Sequence, residues 1–231
     1  MRRRITLFSV LVITALVLQP MWTSRAAYVI LDEVVFDFLA AAPNAQWKSG
    51  AGYLPFPGTS GDWRGYAYVD ESPTYEDGSA GAPALLTVPQ NKTDGYIMGV
   101  YPEFTVQRGD RFKATVGCEP GAKNCYVTYR LDYLTPGGNT VIFWKWKEKN
   151  EGRVYNVDLD LSSLAGKKVR FVLTLLASGP AEGDRPLWGV PRITRPGDGV
   201  TPLPPLTPTP TPFATPPPVT PVPCNRAAFV A

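Results

Sequence analysis

Histidine is absent from the 231 residues, and cysteine occurs only three times. Without histidine, this chain cannot form a Ser-His-Asp or Cys-His nucleophile system or a histidine-ligated zinc site. The net charge is only +3 and the charges are scattered. No basic stripe with interleaved aromatic residues indicates a nucleic-acid surface. No segment shows a convincing helical period, and this lack favours an all-β module.

The N-terminal residues follow the plan of a secretory signal peptide. Three arginines at 2–4 precede a largely apolar run at 5–18, and small residues follow. This pattern predicts a signal peptide over 1–27 that is cleaved after Ala26 or Ala27, and therefore an extracellular or cell-surface protein. The alternative is an uncleaved anchor, although the run is shorter than the roughly 20 residues that a membrane span needs. Membrane contact is expected only through this segment.

Short apolar and β-branched runs recur through residues 28–195. Apolar and polar residues alternate in 155–161, which is typical of a strand covered on one face, whereas 169–177 is apolar almost throughout and predicts a strand buried on both faces. The run PGGN at 136–139 predicts a hairpin turn. Segment 40–62, punctuated by Gly and Pro, is predicted to be a loop. Further strands are predicted at 28–39, 64–69, 84–88, 95–101, 111–117, 126–134, 140–147 and 187–193.

This succession of strands predicts one domain over 28–195. The predicted fold class is all-β, an antiparallel β-sandwich of jelly-roll type. Such a module has enough residues to bury a hydrophobic core of its own.

Cys118 and Cys125 flank the tip of a predicted hairpin. In an exported chain this pair is expected to form a disulfide, and two free thiols are the alternative. Closing so small a loop would stabilise the fold by roughly 2–3 kcal/mol. A metal site would need more ligands than this loop offers.

The composition changes at Pro196. Segment 196–223 is built mainly of Pro and Thr, which predicts a disordered linker that prefers an extended polyproline II form. Segment 224–231 is expected to be the start of a truncated further module, which would be a partner on the same polypeptide. Cys224 would then pair with a cysteine beyond this chain.

Several segments in the second half of the predicted domain resemble galactose-binding-like carbohydrate-binding jelly rolls of secreted multi-module bacterial proteins. The matching runs are RFKATVG at 111–117, NVDLDLSS at 156–163 and DRPLWGVPRI at 184–193. They are similar to a strand of the F.ATVG type, a turn of the VDLSGL type and a last strand that contains Asp and Trp. The resemblance implies a polysaccharide or cell-surface glycan as partner. The run CNRAAFVA at 224–231 is similar to the opening of an Ig-like module of the four-tryptophan, autophagy-receptor type.

Exposed aromatic rings are what a glycan site needs, because the apolar faces of pyranose rings stack on them while carboxylates and amides bond the hydroxyls. The alternative is that these rings are core packing, which is the expectation for Trp144 and Trp146 on one face of a strand. The candidate ligand-binding residues are Trp63, Tyr66, Tyr75, Asp184, Arg185 and Trp188, with Asp62 close by.

Jelly rolls of this kind often hold calcium through oxygens of the first and last strands. Asp32, Glu33 and Asp184 are the carboxylates at suitable positions for a structural Ca²⁺ ion. No other cofactor is expected.

The leading function is non-catalytic binding of an extracellular or cell-wall glycan. The alternative is a structural spacer or adhesion module of a bacterial surface protein that has no small-molecule ligand. A hydrolase is not expected, because paired carboxylates facing each other across a cleft cannot be read from the spacing of the acidic residues.

Overall fold

The computed structural model describes the backbone of residues 28–202 and the side chains of residues 31–197. Within this part, Val29–Thr201 forms one compact body. The predicted signal peptide, residues 203–223 of the predicted linker and the segment 224–231 lie outside the described residues. None of the helices in the described part is both long and apolar enough to span a membrane.

Strands dominate the described part, and helices are confined to single turns. A helical turn, α1, covers Phe38–Ala41, and 3-10 turns cover Ala42–Asn44 and Ser162–Leu164. The strands are β1 (Tyr28–Asp37), β2 (Gln46–Ser49), β3 (Gly52–Leu54), β4 (Tyr66–Asp70), β5 (Ala84–Val88), β6 (Tyr96–Thr105), β7 (Arg111–Cys118), β8 (Tyr126–Leu134), β9 (Thr140–Lys149), β10 (Tyr155–Asp160), β11 (Lys168–Ala177) and β12 (Pro186–Pro202).

The strands form two six-stranded sheets. The first sheet has the order β10-β7-β12-β5-β4, with β1 also paired to β12, and the second has the order β3-β2-β6-β11-β8-β9. The described strand registers are all antiparallel. From β5 to β12 the chain alternates between the sheets except at the β8–β9 hairpin. This architecture confirms the predicted antiparallel β-sandwich.

A cross-sheet contact between two large aromatic rings lies in the core. Trp188 of β12 and Tyr129 of β8 are fully buried, with ring centroids 4.7 Å apart at an interplanar angle of 86°. The Tyr129 hydroxyl donates to the Gly117 carbonyl at 2.7 Å and also to that of Leu187 at 3.1 Å. The one hydroxyl proton of this side chain is shared between two carbonyls of the first sheet, which fixes the sheets relative to one another.

The segment predicted as a loop, 40–62, contains the short strands β2 and β3. Trp47 of β2 is almost fully buried and lies opposite Gly99 of β6. Its indole Nε1–H donates to the Ala42 carbonyl at 3.0 Å, and its ring stacks on Phe56 at 5.6 Å. The loop prediction was wrong here because these strands are held by tertiary pairing, which their own Gly-rich sequence does not reveal.

The last strand runs past the predicted start of the linker at Pro196. β12 continues to Pro202 and pairs with β1. Arg195, placed at the predicted boundary, forms a two-pronged ion pair with the fully buried Asp110, with a shorter contact of 2.7 Å. Proline is tolerated where a strand meets the edge of a sheet, so Pro196 does not end β12.

The predicted disulfide between Cys118 and Cys125 is confirmed. It joins the end of β7 to the residue before β8. The disulfide loop, residues 118–125, thus connects strands of different sheets.

We expect Gly99→Ala to destabilise the domain by about 1–3 kcal/mol, the usual cost of overpacking a core. A Cβ atom at residue 99 would lie 2.7–2.9 Å from three ring carbons of Trp47. The ring is held by its hydrogen bond and by Phe56, so it cannot simply swing away. Urea unfolding followed by circular dichroism measures the change.

The matched control is Gly121→Ala in the disulfide loop, where a Cβ atom meets nothing within 4 Å. It should leave the unfolding midpoint within experimental error of the wild type. Equal stabilities for the two variants would contradict the packing of Trp47 on Gly99.

Candidate functional site

Three loops meet at one end of the sandwich and are joined by backbone hydrogen bonds. They are 55–65 between β3 and β4, 89–95 between β5 and β6, and 178–185 between β11 and β12. The Asn91 N–H donates to the Trp63 carbonyl at 2.8 Å, and the Asp94 N–H donates to the Gly179 carbonyl at 2.8 Å. These contacts give the loops a fixed arrangement, which a binding surface requires.

The loops enclose a concavity of about 220 Å³, called the loop concavity below. Four of the six predicted ligand-binding residues line it: Trp63, Tyr66, Asp184 and Arg185. Asp62, noted beside them in the sequence, also lines it. Two loops that are distant in the sequence, together with the first residue of β4, thus bring these side chains together.

Trp63 is the exposed aromatic residue of the loop concavity, with 62 % of its surface accessible to solvent. Its neighbours in sequence fix the backbone around it. The Asp62 carboxylate accepts from the Arg64 guanidinium at 2.7 Å and from the Arg64 N–H at 2.9 Å. Gly65 has a φ of +95°, and a Cβ atom there would lie 2.9 Å from the Val88 carbonyl oxygen. The backbone is thus held while the Trp63 ring remains available.

Arg185 is held in place by hydrogen bonds to three other side chains. Its guanidinium forms a two-pronged ion pair with Glu119 of the disulfide loop. It also donates to the Tyr66 hydroxyl at 2.9 Å and to the Tyr68 hydroxyl at 3.3 Å. The Glu119 carboxylate raises the pKa of Arg185 further above its ordinary value. This residue therefore acts as a permanent cation that positions the tyrosines.

Asp184 is the buried acid of the loop concavity, with only 1 % of its surface exposed. Its Oδ1 accepts from the Tyr126 N–H at 3.0 Å, whereas Oδ2 has no hydrogen-bond partner among the described residues. Burial raises the pKa of this carboxyl to about 6. An unsatisfied buried carboxylate oxygen is costly, and such exceptions concentrate at functional sites.

The disulfide loop supports the loop concavity from below. Glu119 follows Cys118 directly and both accepts from Arg185 and donates its own N–H to the Arg185 carbonyl at 3.0 Å. Tyr126, which follows Cys125, donates to Asp184. Residues next to both cysteines thus hold the two adjacent residues of the 178–185 loop.

Two predicted ligand-binding residues are structural instead. Trp188 is fully buried against Tyr129 and Phe112, so its ring has no face for a ligand. Tyr75 is 3 % exposed and lies over the outer face of the first sheet, where a Cβ atom on Gly189 would come within 2.1 Å of its hydroxyl oxygen. Burial raises the pKa of Tyr75 to about 12. Aromatic composition does not distinguish core from surface, so the sequence did not reveal that both rings are buried.

The carboxylates predicted to bind calcium do not form a common site. Within residues 31–197, the structure contains no group of three or more Asp, Glu, Cys or His side chains that could hold a metal ion. Asp32 is paired instead with Lys113 at 2.5 Å, and this hydrogen bond lowers the pKa of the carboxyl. Asp184 lies in the lining of the loop concavity. The structural Ca²⁺ ion stays a prediction.

Two polar residues of the loop concavity were not predicted from the sequence, namely Asn91 and Glu182. Both are exposed loop residues. Each lies in a loop without periodicity, so no local pattern indicates that it faces Trp63. The turn that contains Gly183 was a sequence signal for a loop at this position, because Gly183 directly precedes Asp184.

Comparisons with known proteins gave matches only among solved structures: no family model and no curated protein matches the chain. A CBM51 module with INT domains from Clostridium perfringens ZmpB, solved with GlcNAc, is 17 % identical over 54 % of this chain, with a TM-score of 0.38. The match spans 25 % of that longer chain.

Two other matches extend over nearly whole modules. TmCBM61, solved with β-1,4-galactotriose, is 12 % identical and covers 69 % of this chain and 94 % of its own, with a TM-score of 0.44. The CBM22-1 xylan-binding domain of Paenibacillus barcinonensis Xyn10C is 12 % identical and covers 76 % and 100 %, with a TM-score of 0.38. At such identities and TM-scores, these likenesses establish nothing about a ligand of this chain.

Replacing Asp184 should change how the stability of the domain depends on pH. The folded-state pKa of about 6 lies above the ordinary value of 3.8. The stability contributed by this carboxyl is therefore fully present below about pH 4 and is lost as the pH rises through about 6. We expect the free energy of unfolding of the wild type, relative to Asp184→Asn, to fall by roughly 1–3 kcal/mol between these limits.

Urea titrations at a series of pH values measure this difference. Glu182→Gln is the matched control, because this exposed acid lies in the same loop. Its profile should run parallel to the wild-type profile. A parallel profile for Asp184→Asn as well would show that the Asp184 carboxyl is not perturbed.

Proposed function

We propose that this chain is an exported, non-catalytic module that binds a neutral glycan in the loop concavity. The observation that carries the proposal is the combination of two features in one concavity. An exposed indole, Trp63, and a buried carboxylate oxygen that lacks a partner among the described residues, Asp184 Oδ2, both belong to its lining.

The two features supply complementary halves of sugar recognition. The apolar face of a pyranose ring stacks on the Trp63 indole, because burying apolar C–H surface against an aromatic ring is favourable. Asp184 Oδ2 is buried, so a small movement of the lining has to open it to a sugar hydroxyl. The hydroxyl then donates to Oδ2, which relieves the cost of the unsatisfied oxygen. The Asn91 amide offers both a donor and an acceptor at the rim.

The charge of the loop concavity favours a neutral ligand over an anionic one. Its lining contains the carboxyl groups of Glu182 and Asp184, and that of Asp62, which is paired with Arg64. The guanidinium of Arg185 is already neutralised by Glu119. A glycan rich in carboxylate or sulfate groups would therefore be repelled, whereas the hydroxyl groups of a neutral glycan can donate hydrogen bonds to these carboxyls.

The small volume of the concavity favours recognition of a short part of a glycan. Pockets that enclose a small ligand usually measure about 300–1,000 Å³, and the loop concavity is smaller. A ligand there keeps much of its surface in solvent, so a single site binds weakly. Neighbouring modules or many copies on one surface would supply avidity.

Export is part of the proposal. The signal-peptide pattern of residues 1–27 supports it, and so does the disulfide between Cys118 and Cys125, since disulfides persist in oxidising compartments. The proposed location is the cell surface or the extracellular space, as part of a modular bacterial protein.

Replacing the exposed indole tests the proposal. We expect Trp63→Ala to weaken binding of the full chain to a soluble neutral polysaccharide by about tenfold or more, because the stacking surface is removed. Affinity electrophoresis against soluble β-1,4-glucan, xylan and galactan measures the effect. Release of reducing ends is assayed in the same samples.

Tyr53→Ala is the matched control, because Tyr53 is also aromatic and is 76 % exposed but lies on β3 outside the loop concavity. It should bind like the wild type. Wild-type binding by Trp63→Ala would contradict a binding site in the loop concavity. Release of reducing ends would contradict a non-catalytic module and indicate an enzyme. No binding to any of these polysaccharides by the folded wild type would favour the structural or adhesion module.

A further inference from the structure

A second concavity lies on the side of the sandwich, where the edge strand β9 of one sheet meets the edge strand β10 of the other. Its volume is about 250 Å³, and it is called the edge groove below. Trp144, Trp146 and Tyr155 supply its aromatic surface, and Asn156 and Asp158 supply polar groups. None of these residues lines the loop concavity.

The aromatic surface exists because both strands lie at sheet edges. Trp146 lies opposite Tyr129, and Tyr155 lies opposite Val116, two core residues, so both rings are on inward-facing strand positions. Among the described residues no strand lies beyond β9 or β10 in their sheets, so these rings remain open to solvent at the margin. Trp146 is 38 % exposed, so the expectation that the Trp144–Trp146 pair is core packing is wrong for this residue.

Hydrogen bonds hold the rings in place before any ligand arrives. The Trp146 Nε1–H donates to the buried Glu148 carboxylate at 3.0 Å, and the Tyr155 hydroxyl donates to Glu151. The two ring centroids are 4.9 Å apart. Exposed aromatic surface that is fixed in one orientation reduces the entropy lost on binding, which is a feature of built recognition sites.

Two polar groups at the rim of the edge groove retain unused hydrogen-bonding capacity. The Asn156 amide oxygen accepts from the Thr115 hydroxyl at 3.0 Å, which leaves the amide N–H groups for a ligand. One oxygen of Asp158 accepts from Arg111 at 2.7 Å, which leaves the other oxygen as an acceptor. Asn156 and Asp158 alternate with Tyr155 along β10, so their side chains lie at the outer rim of the groove. They are placed to bond hydroxyls of a sugar that extends past the rings.

We propose that the edge groove is a second binding site for a neutral glycan, in which pyranose rings stack on Trp146 and Tyr155 and hydroxyls bond Asn156 and Asp158. The lining residues include no lysine or arginine, so an anionic glycan or a phosphate group lacks a counter-charge there. The site stands on its own residues but shares its ligand class with the proposed function. Two separate sites would let one chain engage two stretches of glycan.

Calorimetric titration of the full chain with the β-1,4-linked hexaoses of glucose, xylose and galactose tests the proposal. We expect a stoichiometry of two for the hexaose that binds. Trp146→Ala should reduce it to one, because the affinity of the edge groove falls by about tenfold or more. Trp63→Ala should also leave one site, and the double variant should leave none.

Two further variants separate binding from folding. Trp146→Phe keeps an aromatic face and should retain both sites, and it shows that the strand tolerates substitution at this position. Ile142→Ala removes an exposed residue of the same strand outside the edge groove and should also bind like the wild type.

The possible results are distinguishable. A wild-type stoichiometry of one that survives Trp146→Ala overturns the edge groove and leaves the loop concavity. If Trp146→Ala loses all binding while Trp63→Ala binds like the wild type, the edge groove is supported and the loop concavity is overturned. No binding of any of these hexaoses to the folded wild type overturns both.

Discussion

The cross-sheet contact between Trp188 and Tyr129 is the constraint on which the rest of the structure depends. It closes the sandwich at the point where β12 enters the core. Three and four residues before Trp188, the chain presents Arg185 and Asp184 to the loop concavity. Because the buried ring fixes the start of β12, the positions of these two polar residues follow from core packing. Stability and the geometry of the candidate site therefore share one anchor.

Carboxylates of glutamate residues hold separate parts of this fold together through hydrogen bonds. Glu76 accepts backbone N–H groups from Cys118, Glu151 and Gly152. It thus joins its own loop to the end of β7 and to residues 151–152. Glu119 fixes Arg185, and Glu148 fixes Trp146, which lies at the edge groove. Desolvation raises the pKa of Glu148 to about 7, with the neighbouring acids Glu76 and Glu151 adding to the effect. Burial of Glu148 thus carries an electrostatic cost, and its carboxylate orients the exposed ring of Trp146.

The sequence allowed the strands to be predicted better than the roles of the side chains. The bounds of β5 and β8 match the predictions of 84–88 and 126–134, because alternation and turn residues are local signals. β2 and β3 could not be found this way, since their pairing depends on Trp47 meeting Gly99. Trp63 and Trp188 have similar sequence surroundings, yet one is exposed and the other is core. Which loop faces which is decided by tertiary contacts, so Asn91 and Glu182 gave no sequence signal.

The indole N–H resonances of the tryptophans provide the most direct measurement of the central claim that the loop concavity binds glycan. They are recorded in a two-dimensional ¹H–¹⁵N spectrum of the full chain during titration with the hexaose that binds. The account predicts that the Trp63 signal moves in proportion to occupancy, while the signals of the buried Trp47 and Trp188 stay in place. Binding that leaves the Trp63 signal unmoved would contradict it.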